Sequence, residues 1–373
     1  MDKAIYLILA GGRGERLRPL TDNVPKPLVR FRSSGAIIDF TLHNCFQTQT
    51  GDMIVLTQYQ GDKITDYINS GWHSIFRAQG RNISCLDSKY FTPGEFRGTA
   101  DAVYKALSSM RRLPEYVFVL ASDHIYQMNY HDMLRFHKKH GMAASVGCIA
   151  CPRHQARRFG ILKTDFANPI SSFHEKPASL ENIVKADEKL YASMGIYVFS
   201  TKRLCDYLLK NQNDPSHDFG KNILPAMAKK RDIWAFRFVD ENGDNAYWRD
   251  VGDLAAYWEA SLEQIYGLRN YLQYDLKPDM EKIPIFRDHY VKLQISGRRK
   301  IINSKIADSV DIDDAHIENS IVCPGARIEN GATVRRSVVM DGAVIKGDSC
   351  VIDAVVQPYK EICGSTVGWG ACP

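Results

Sequence analysis

The sequence predicts an α/β protein built on a mostly parallel sheet, followed by a parallel β-helix. Three observations predict this fold. Short, continuously apolar runs end at glycines or at polar loops, amphipathic segments separate those runs, and a six-residue aliphatic period dominates the C-terminal part of the chain.

Ala4 to Ala10 is apolar throughout and runs into Gly11-Gly12, as expected of a strand buried on both faces. Met53 to Gln58 and Tyr116 to Ala121 read the same way, and between them Gly61 to Ile68 and Thr99 to Arg111 carry helical spacing. In a parallel sheet the ligand crevice lies beyond the carboxyl ends of the strands. The segments Gly11 to Arg18, Gln58 to Gln60 and Ser122 to His124 all follow predicted strands, so chain-distant loops are expected to converge.

Tyr271 to Arg287 has no clear period and contains Pro278 and Pro284, which reads as a linker. The expected organisation is a domain over residues 1–270, a linker over 271–292 and a second domain over 293–373. In that second domain aliphatic residues recur every six positions: Ile306 and Ile312; Val322, Ile328 and Val334; Ile345 and Val351. Gly325-Ala326, Gly331-Ala332 and Gly342-Ala343 punctuate the period, the signature of coils stacked into a parallel β-helix. The phase slips near Glu318 and Met340, and Tyr359 to Pro373 matches no repeat.

Composition narrows the function classes. Hydrophobic residues make up 45% and charged residues 24% of 373, an ordinary globular balance that a net charge of +5 barely tilts. Basic residues form only short clusters such as Lys229-Lys230-Arg231 and Arg298-Arg299-Lys300, which argues against a nucleic-acid partner. The longest apolar runs are too short to span a bilayer, so no membrane partner is expected. Met1-Asp2-Lys3 leads straight into the first strand without a secretory pattern. Nine cysteines without framework spacing indicate a reducing, cytoplasmic setting, and Cys148 and Cys151 read as two buried thiols.

The chemistry concentrates after the strands. Gly11-Gly12-Arg13-Gly14-Glu15-Arg16 combines glycines, whose backbone can approach phosphate closely, with two guanidinium groups. It matches neither the dinucleotide nor the Walker pattern. Lys26, held between Pro25 and Pro27, adds a fixed positive charge, and the set favours a polyphosphate. Asp123 after the apolar run suits Mg²⁺, with Asp250 in Trp248-Arg249-Asp250-Val251-Gly252 as the second carboxylate; helix-cap and turn roles are the structural alternatives. Lys176 is suited to a substrate phosphate and Glu175 to sugar hydroxyls. No nucleophile–base set has a recognisable context. Attack by a phosphate oxygen on a nucleotide α-phosphorus needs none, because alignment and charge neutralisation carry it.

These motifs assemble into a resemblance. Leu9 to Leu17 followed by Pro25-Lys26-Pro27 resembles the opening of sugar nucleotidyltransferases. Arg97-Gly98-Thr99-Ala100-Asp101-Ala102-Val103, Asp123-His124-Ile125-Tyr126, Glu175-Lys176-Pro177, Ser193 to Phe199, His217-Asp218-Phe219-Gly220-Lys221 and Tyr247 to Gly252 resemble, in order, bacterial glucose-1-phosphate adenylyltransferase. The resemblance implies a Rossmann-like nucleotidyltransferase domain with a C-terminal left-handed parallel β-helix, making ADP-glucose from ATP and glucose 1-phosphate for glycogen. Gly11, Gly12, Arg13, Gly14, Arg16 and Lys26 would hold the nucleoside triphosphate, with Gln58 and Gly98 also on the nucleotide side. Asp123 and Asp250 would hold Mg²⁺, with Arg16, Lys26 and Asp123 closest to the chemistry. Gly160, Glu175, Lys176 and Ser193 would bind the sugar 1-phosphate, together with the position of Phe96. A homo-oligomer is expected from the exposed surface of a β-helix, and the resemblance implies a tetramer.

The departures from the family pattern point elsewhere. Glu95 and Phe96 stand where the family usually has Trp-Tyr, removing an indole from the nucleotide side and a hydroxyl from the sugar site. Asp22-Asn23-Val24-Pro25 and the segment Phe31 to Ile38 lack the usual basic activator residues, and the chain ends soon after the β-helix. Both count against the family's usual control by sugar-phosphate metabolites. A relative specialised for another nucleotide, or for a modified sugar or cyclitol phosphate, is the alternative reading. A non-catalytic regulatory subunit is a third, disfavoured by retention of Arg13, Arg16, Lys26, Asp123, Lys176 and Asp250.

Overall fold

The computed structural model describes residues 4–31, 35–91, 94–181, 183–185, 188–266 and 290–368. They form two compact units. One comprises Met1–Gly11, Thr41–Ser122 and Gln127–Trp248, the other Gly12–Phe40, Asp123–Tyr126 and Arg249–Pro373.

The first unit holds a nine-stranded sheet. Its strands are β1 (Ala4–Ala10), β2 (Asp52–Thr57), β3 (Ile83–Asp87), β4 (Tyr116–Ala121), β5 (Ala144–Cys151), β6 (Gly160–Lys163), β7 (Ser172–Glu175), β8 (Leu190–Ser200) and β9 (Ile233–Arg237). The order is β9-β5-β8-β4-β1-β2-β3, with β6 paired to β7 and β8. β1 sits centrally, Leu7 lying between Ile54 and Val119, which is why its sequence is apolar without alternation. From β1 the chain progresses through β2 to β3, then crosses back to place β4 on the other side of β1. That reversal is a topological switch point, and Gly11, Gln58 and Ser122 leave the ends of the three strands around it.

The sheet is mixed. β1 to β4 pair in parallel, but β8 runs antiparallel to both β4 and β5. The β6–β7 hairpin lies between β5 and β8 in the chain and pairs antiparallel with the latter, so β8 returns against β5. An apolar run buried along its length, as β8 is, carries no signal of direction. The helix Thr99–Ser108 closes one face through Ala100, Ala102, Val103, Ala106 and Leu107, all buried. Cys148 and Cys151 are buried in β5, where desolvation pushes both thiols up, Cys151 to about 11.

The second unit contains the parallel β-helix, with the stacked pairing of the left-handed kind. Three columns of side chains run up its sides: Ile306-Val322-Val339-Val356, Ile312-Ile328-Ile345-Ile362 and Ile301-Ile317-Val334-Val351-Thr366. The phase slips have a structural cause. One corner of every coil is a residue short, and it turns on Asn303, Asn319, Arg336 and Asp353, all with positive φ between 42° and 53°. The next residues, Ser304, Ser320 and Ser337, form a buried ladder. Each hydroxyl accepts the N–H of the equivalent position one coil on, at 3.1 Å. Of the segment Tyr359 to Pro373, residues 359–368 join this pattern, Glu361–Ile362 and Ser365–Val367 adding strands to it, and 369–373 lie outside the described residues. The expected linker over 271–292 lies outside the described residues as far as 289, and Tyr290–Ser296 pairs antiparallel with Arg299–Ile306.

In the same unit, Lys305 of the β-helix donates to the Phe31 carbonyl at 2.7 Å, Tyr257 donates to the Arg30 carbonyl, and Trp258 donates to the Asn319 carbonyl at 3.1 Å. The segment carrying the glycine-rich loop is thereby tied to the helix Leu254–Tyr266 and the β-helix.

Candidate active site

Within the second unit four polar side chains converge from three chain-distant segments. Gly14 has φ 66°, and a Cβ there would lie 2.7 Å from Lys26 Cβ; glycine is what lets the lysine segment pack against the loop. The Thr21 hydroxyl donates to the Gly14 carbonyl at 2.9 Å, and Leu17 and Leu20 are buried anchors. A Cβ on Gly12 would meet nothing within 4 Å, so that position is open rather than packed. Arg13 and Arg16 are exposed beside it, whereas Lys26 is buried in the turn Lys26–Leu28.

Asp123 follows β4 and caps no helix. The chain continues into a short strand, His124–Tyr126, paired with Trp248–Asp250. That pairing sets the second carboxylate beside the first. Lys26 Nζ lies 2.6 Å from Asp123 Oδ2 and 3.8 Å from Asp250 Oδ1. His124 Nε2 lies 3.6 Å from Asp123 Oδ1 and 3.7 Å from Asp250 Oδ1. Desolvation pushes the Asp123 carboxyl up, but the charges of Lys26 and His124 outweigh it and hold the group well below the usual carboxylate range.

Ligand atoms of Asp123, His124 and Asp250 all lie within 4.8 Å of one another, close enough to share one divalent cation. The donor set fits: two carboxylates suit a hard ion, and the nearby ammonium shows that the pocket already stabilises a positive charge.

A second group lies in the first unit. Gly160 and Glu175 are register partners at one end of the β6–β7 hairpin. A Cβ on Gly160 would come 2.9 Å from Glu175 Oε2, and one on Gly220 only 2.4 Å from the same atom. Two glycines therefore cradle the Glu175 carboxylate. Burial raises its pKa, Lys176 opposes that shift, and Asp218 adds to it. Lys176 has φ 44°, and its largely exposed ammonium is 3.6 Å from Glu175 Oε1. Ser193 is buried on β8, 3.2 Å from the Tyr197 hydroxyl, and burial with the nearby charges of Glu175 and Asp218 pushes that phenol far up. Gly160, Glu175 and Lys176 are thus brought together, with Ser193 joined to their surroundings through Tyr197.

The remaining expected residues bind protein groups in this structure. Gln58 is a near neighbour of Gly11, whose Cβ would lie 3.4 Å from its own, but its side-chain carbonyl accepts the Phe96 N–H at 2.8 Å. The Phe96 ring packs against Phe91, with the Lys105 ammonium 5.6 Å from both ring centres. Gly98 is extended, and a Cβ would meet the His217 carbonyl oxygen at 2.2 Å, so close backbone approach explains that glycine.

Sequence reasoning missed His124, Gly220 and Tyr197 as members of these groups. All three stand inside quoted motifs, but nothing in a motif says which member's side chain turns toward its neighbours. It also missed Asp101, fully buried and paired with Arg97 at 2.9 Å and Lys105 at 3.1 Å, which orders the loop carrying Phe96. The signal there was an acid with a base four residues on either side.

Among the described residues no helix is long and apolar enough to cross a membrane. A family described as nucleotidyl transferase matches residues 5–265, and one described as GlmU-like, C-terminal hexapeptide, matches 289–369. The glucose-1-phosphate adenylyltransferase of Rhodopirellula baltica is 35% identical over 376 residues, covering 97% of this chain and 84% of its own length. That of Hydrogenovibrio crunogenus is 36% identical over 368 residues, with coverage of 95% and 86%. That of Yersinia pseudotuberculosis is 34% identical over 347 residues, with coverage of 89% and 81%.

Proposed function

Because the chain belongs to the nucleotidyltransferase family that includes the bacterial glucose-1-phosphate adenylyltransferases, we propose that it makes ADP-glucose from ATP and glucose 1-phosphate. The general reaction, nucleotidyl transfer forming a nucleotide sugar, comes with the family. The particular substrates are the proposal. A phosphate oxygen of the acceptor attacks the α-phosphorus, and the bond to the bridging oxygen of the β-phosphate breaks, releasing pyrophosphate.

The observation that carries this reading is the convergence of Lys26, Asp123, His124 and Asp250 beside an open glycine loop. Gly11, Gly12, Arg13, Gly14 and Arg16 are assigned to the triphosphate, donating N–H and guanidinium bonds to its oxygens. Lys26 adds a buried charge that holds the phosphates in line. Gln58 and Gly98 are assigned to shaping the nucleotide side through the loop they hold. Glu175 accepts sugar hydroxyls from its two-glycine cradle, Ser193 and Gly160 border the sugar, and Lys176 pairs with the acceptor phosphate. Asp123 and Asp250 are assigned to Mg²⁺, which when bound supplies charge neutralisation for the attacked phosphate and the leaving pyrophosphate.

The test is pyrophosphate release by the purified chain with each nucleoside triphosphate against glucose 1-phosphate, with Asp123→Asn as control. Turnover with ATP that the variant loses by several orders of magnitude is expected. No turnover with ATP refutes the adenylyl assignment, and an active variant refutes the metal assignment.

A second reading has its own observation. Phe96 brings an apolar ring, tied down by Phe91 and Lys105, to the position assigned to the sugar side. It favours an acceptor lacking one hydroxyl contact, such as a modified sugar or cyclitol phosphate, or a different nucleotide. Selective, efficient use of ATP with glucose 1-phosphate removes it.

We further assign residues 1–270 to the transferase domain, 271–292 to a linker and 293–373 to the β-helix, and the protein to the cytoplasm as a homotetramer without nucleic-acid or membrane partners. Sedimentation showing only monomer refutes the assembly.

A further inference from the structure

We infer that the first unit carries an anion site, distinct from the residues assigned above, for a phosphate group of a small sugar phosphate. A cavity of about 690 Å³ opens between residues 153–157 and the pair of short stretches 179–181 and 184–185. Arg153, His154, Arg157 and Lys185 line it, and among the described residues Glu181 is the one acid on its lining. Four of the six residues from 153 to 158 are arginine or histidine, although the whole chain carries 48 basic residues against 43 acidic ones. A solvated basic surface is the ordinary explanation for such a run, and three features argue past it.

The cations surround a concavity rather than a convex face. Its floor is apolar: Val184 is buried, Leu180 packs against it, and both join the small core that includes Ala156. Finally, Arg153 is held in place, its Nη1 donating to the Lys185 carbonyl at 3.0 Å, which joins the two walls. An apolar floor under one fixed guanidinium, with further basic side chains around the rim, is what a phosphorylated sugar needs, a ring face below and charge-assisted bonds above.

The walls are continuous with the proposed acceptor residues. The segment 153–158 leads through Phe159 into Gly160, the segment 179–185 follows Lys176, and the Lys176 N–H donates to the Phe159 carbonyl at 3.1 Å. The phosphate therefore has two sources: a second phosphate on the acceptor itself, or a separate phosphorylated molecule. Only the first rests on the transfer reaction proposed above.

The experiment uses the whole chain and the Arg153→Ser/Arg157→Ser variant, whose altered side chains are exposed and outside the assigned machinery. Calorimetric titration with inorganic phosphate and with glucose 1,6-bisphosphate reads binding without turnover, so it stands even if the transfer reading fails. Both ligands are expected to bind, and the variant to bind each at least tenfold more weakly while melting at the same temperature. If the phosphate belongs to the acceptor, the variant also raises KM for glucose 1,6-bisphosphate tenfold and leaves KM for glucose 1-phosphate unchanged. If it belongs to a separate molecule, inorganic phosphate binds undiminished under saturating glucose 1-phosphate. Equal binding of phosphate by both proteins, or no binding by either at millimolar concentrations, overturns the inference.

Discussion

Replacing Gly220 by alanine isolates the placement of one carboxylate. The added Cβ would lie 2.4 Å from Glu175 Oε2, 2.7 Å from its Cδ and 3.0 Å from its Cγ. Carbon–oxygen contacts settle near 3.3 Å or beyond, so the carboxylate must retreat by roughly 1 Å. Gly220 is not among the residues with positive φ, so the backbone accepts alanine without strain. The clash falls on the far end of a flexible side chain, and the folding cost stays at the low end of about 1–3 kcal/mol for overpacking. Catalysis suffers more. A misplacement of about 1 Å in a positioning group costs ~100-fold, close to 2.7 kcal/mol in kcat/KM. Steady-state kinetics should show that loss for the sugar phosphate, with KM for the nucleotide within about twofold. Gly98→Ala is the contrast: its Cβ strikes the His217 backbone at 2.2 Å, which cannot step aside, and the expected result is poor folding. A Gly220→Ala protein with unchanged acceptor kinetics would refute the role given to Glu175.

Three further outcomes rest on the geometry around single side chains. Lys26→Met removes the charge that most lowers the Asp123 pKa, so burial should then move that carboxyl upward from its depressed value, against the His124 charge that remains. In the wild type this carboxylate contributes stability above about pH 4, lost as pH falls through its depressed folded value. Carboxyl-carbon NMR titration checks the shift, and an unmoved Asp123 refutes the pairing. His137, buried 3.0 Å from both the Ser145 and Ser200 hydroxyls, is lowered by burial from 6.5 to about 4. The unfolded chain protonates first, so this residue withdraws about 3 kcal/mol of stability as pH falls from 6.5 to 4; His137→Gln should flatten that limb of a melting-temperature profile. In the β-helix, Arg336→Gly loses the two-bond pair with Asp353 but relieves a backbone at φ 45°, and chemical denaturation should find the change within about 1 kcal/mol of neutral.

Periodicity and the chemistry of single residues were enough to read both sheet types, because burial on two faces demands continuous apolar strands and stacked coils demand a repeat. They also marked Lys26, Asp123, Asp250, Glu175 and Lys176 as the residues worth following. Direction, corner geometry and neighbourhood were not legible there. β8 runs antiparallel because a hairpin turns the chain back, and its apolar run is the same read either way. The repeat loses phase at Asn319 and Arg336 because a left-handed corner takes one residue fewer. His124 belongs beside the two aspartates only because a three-residue strand pairs with Trp248–Asp250, and Gly220 matters only because Glu175 folds against it. The sequence alone determined which chemistry was available and which surfaces had to be buried, since those depend on composition and local spacing. Tertiary structure alone decided which charges share a pocket, because distances between chain-distant atoms are set by packing and pairing rather than by order along the chain.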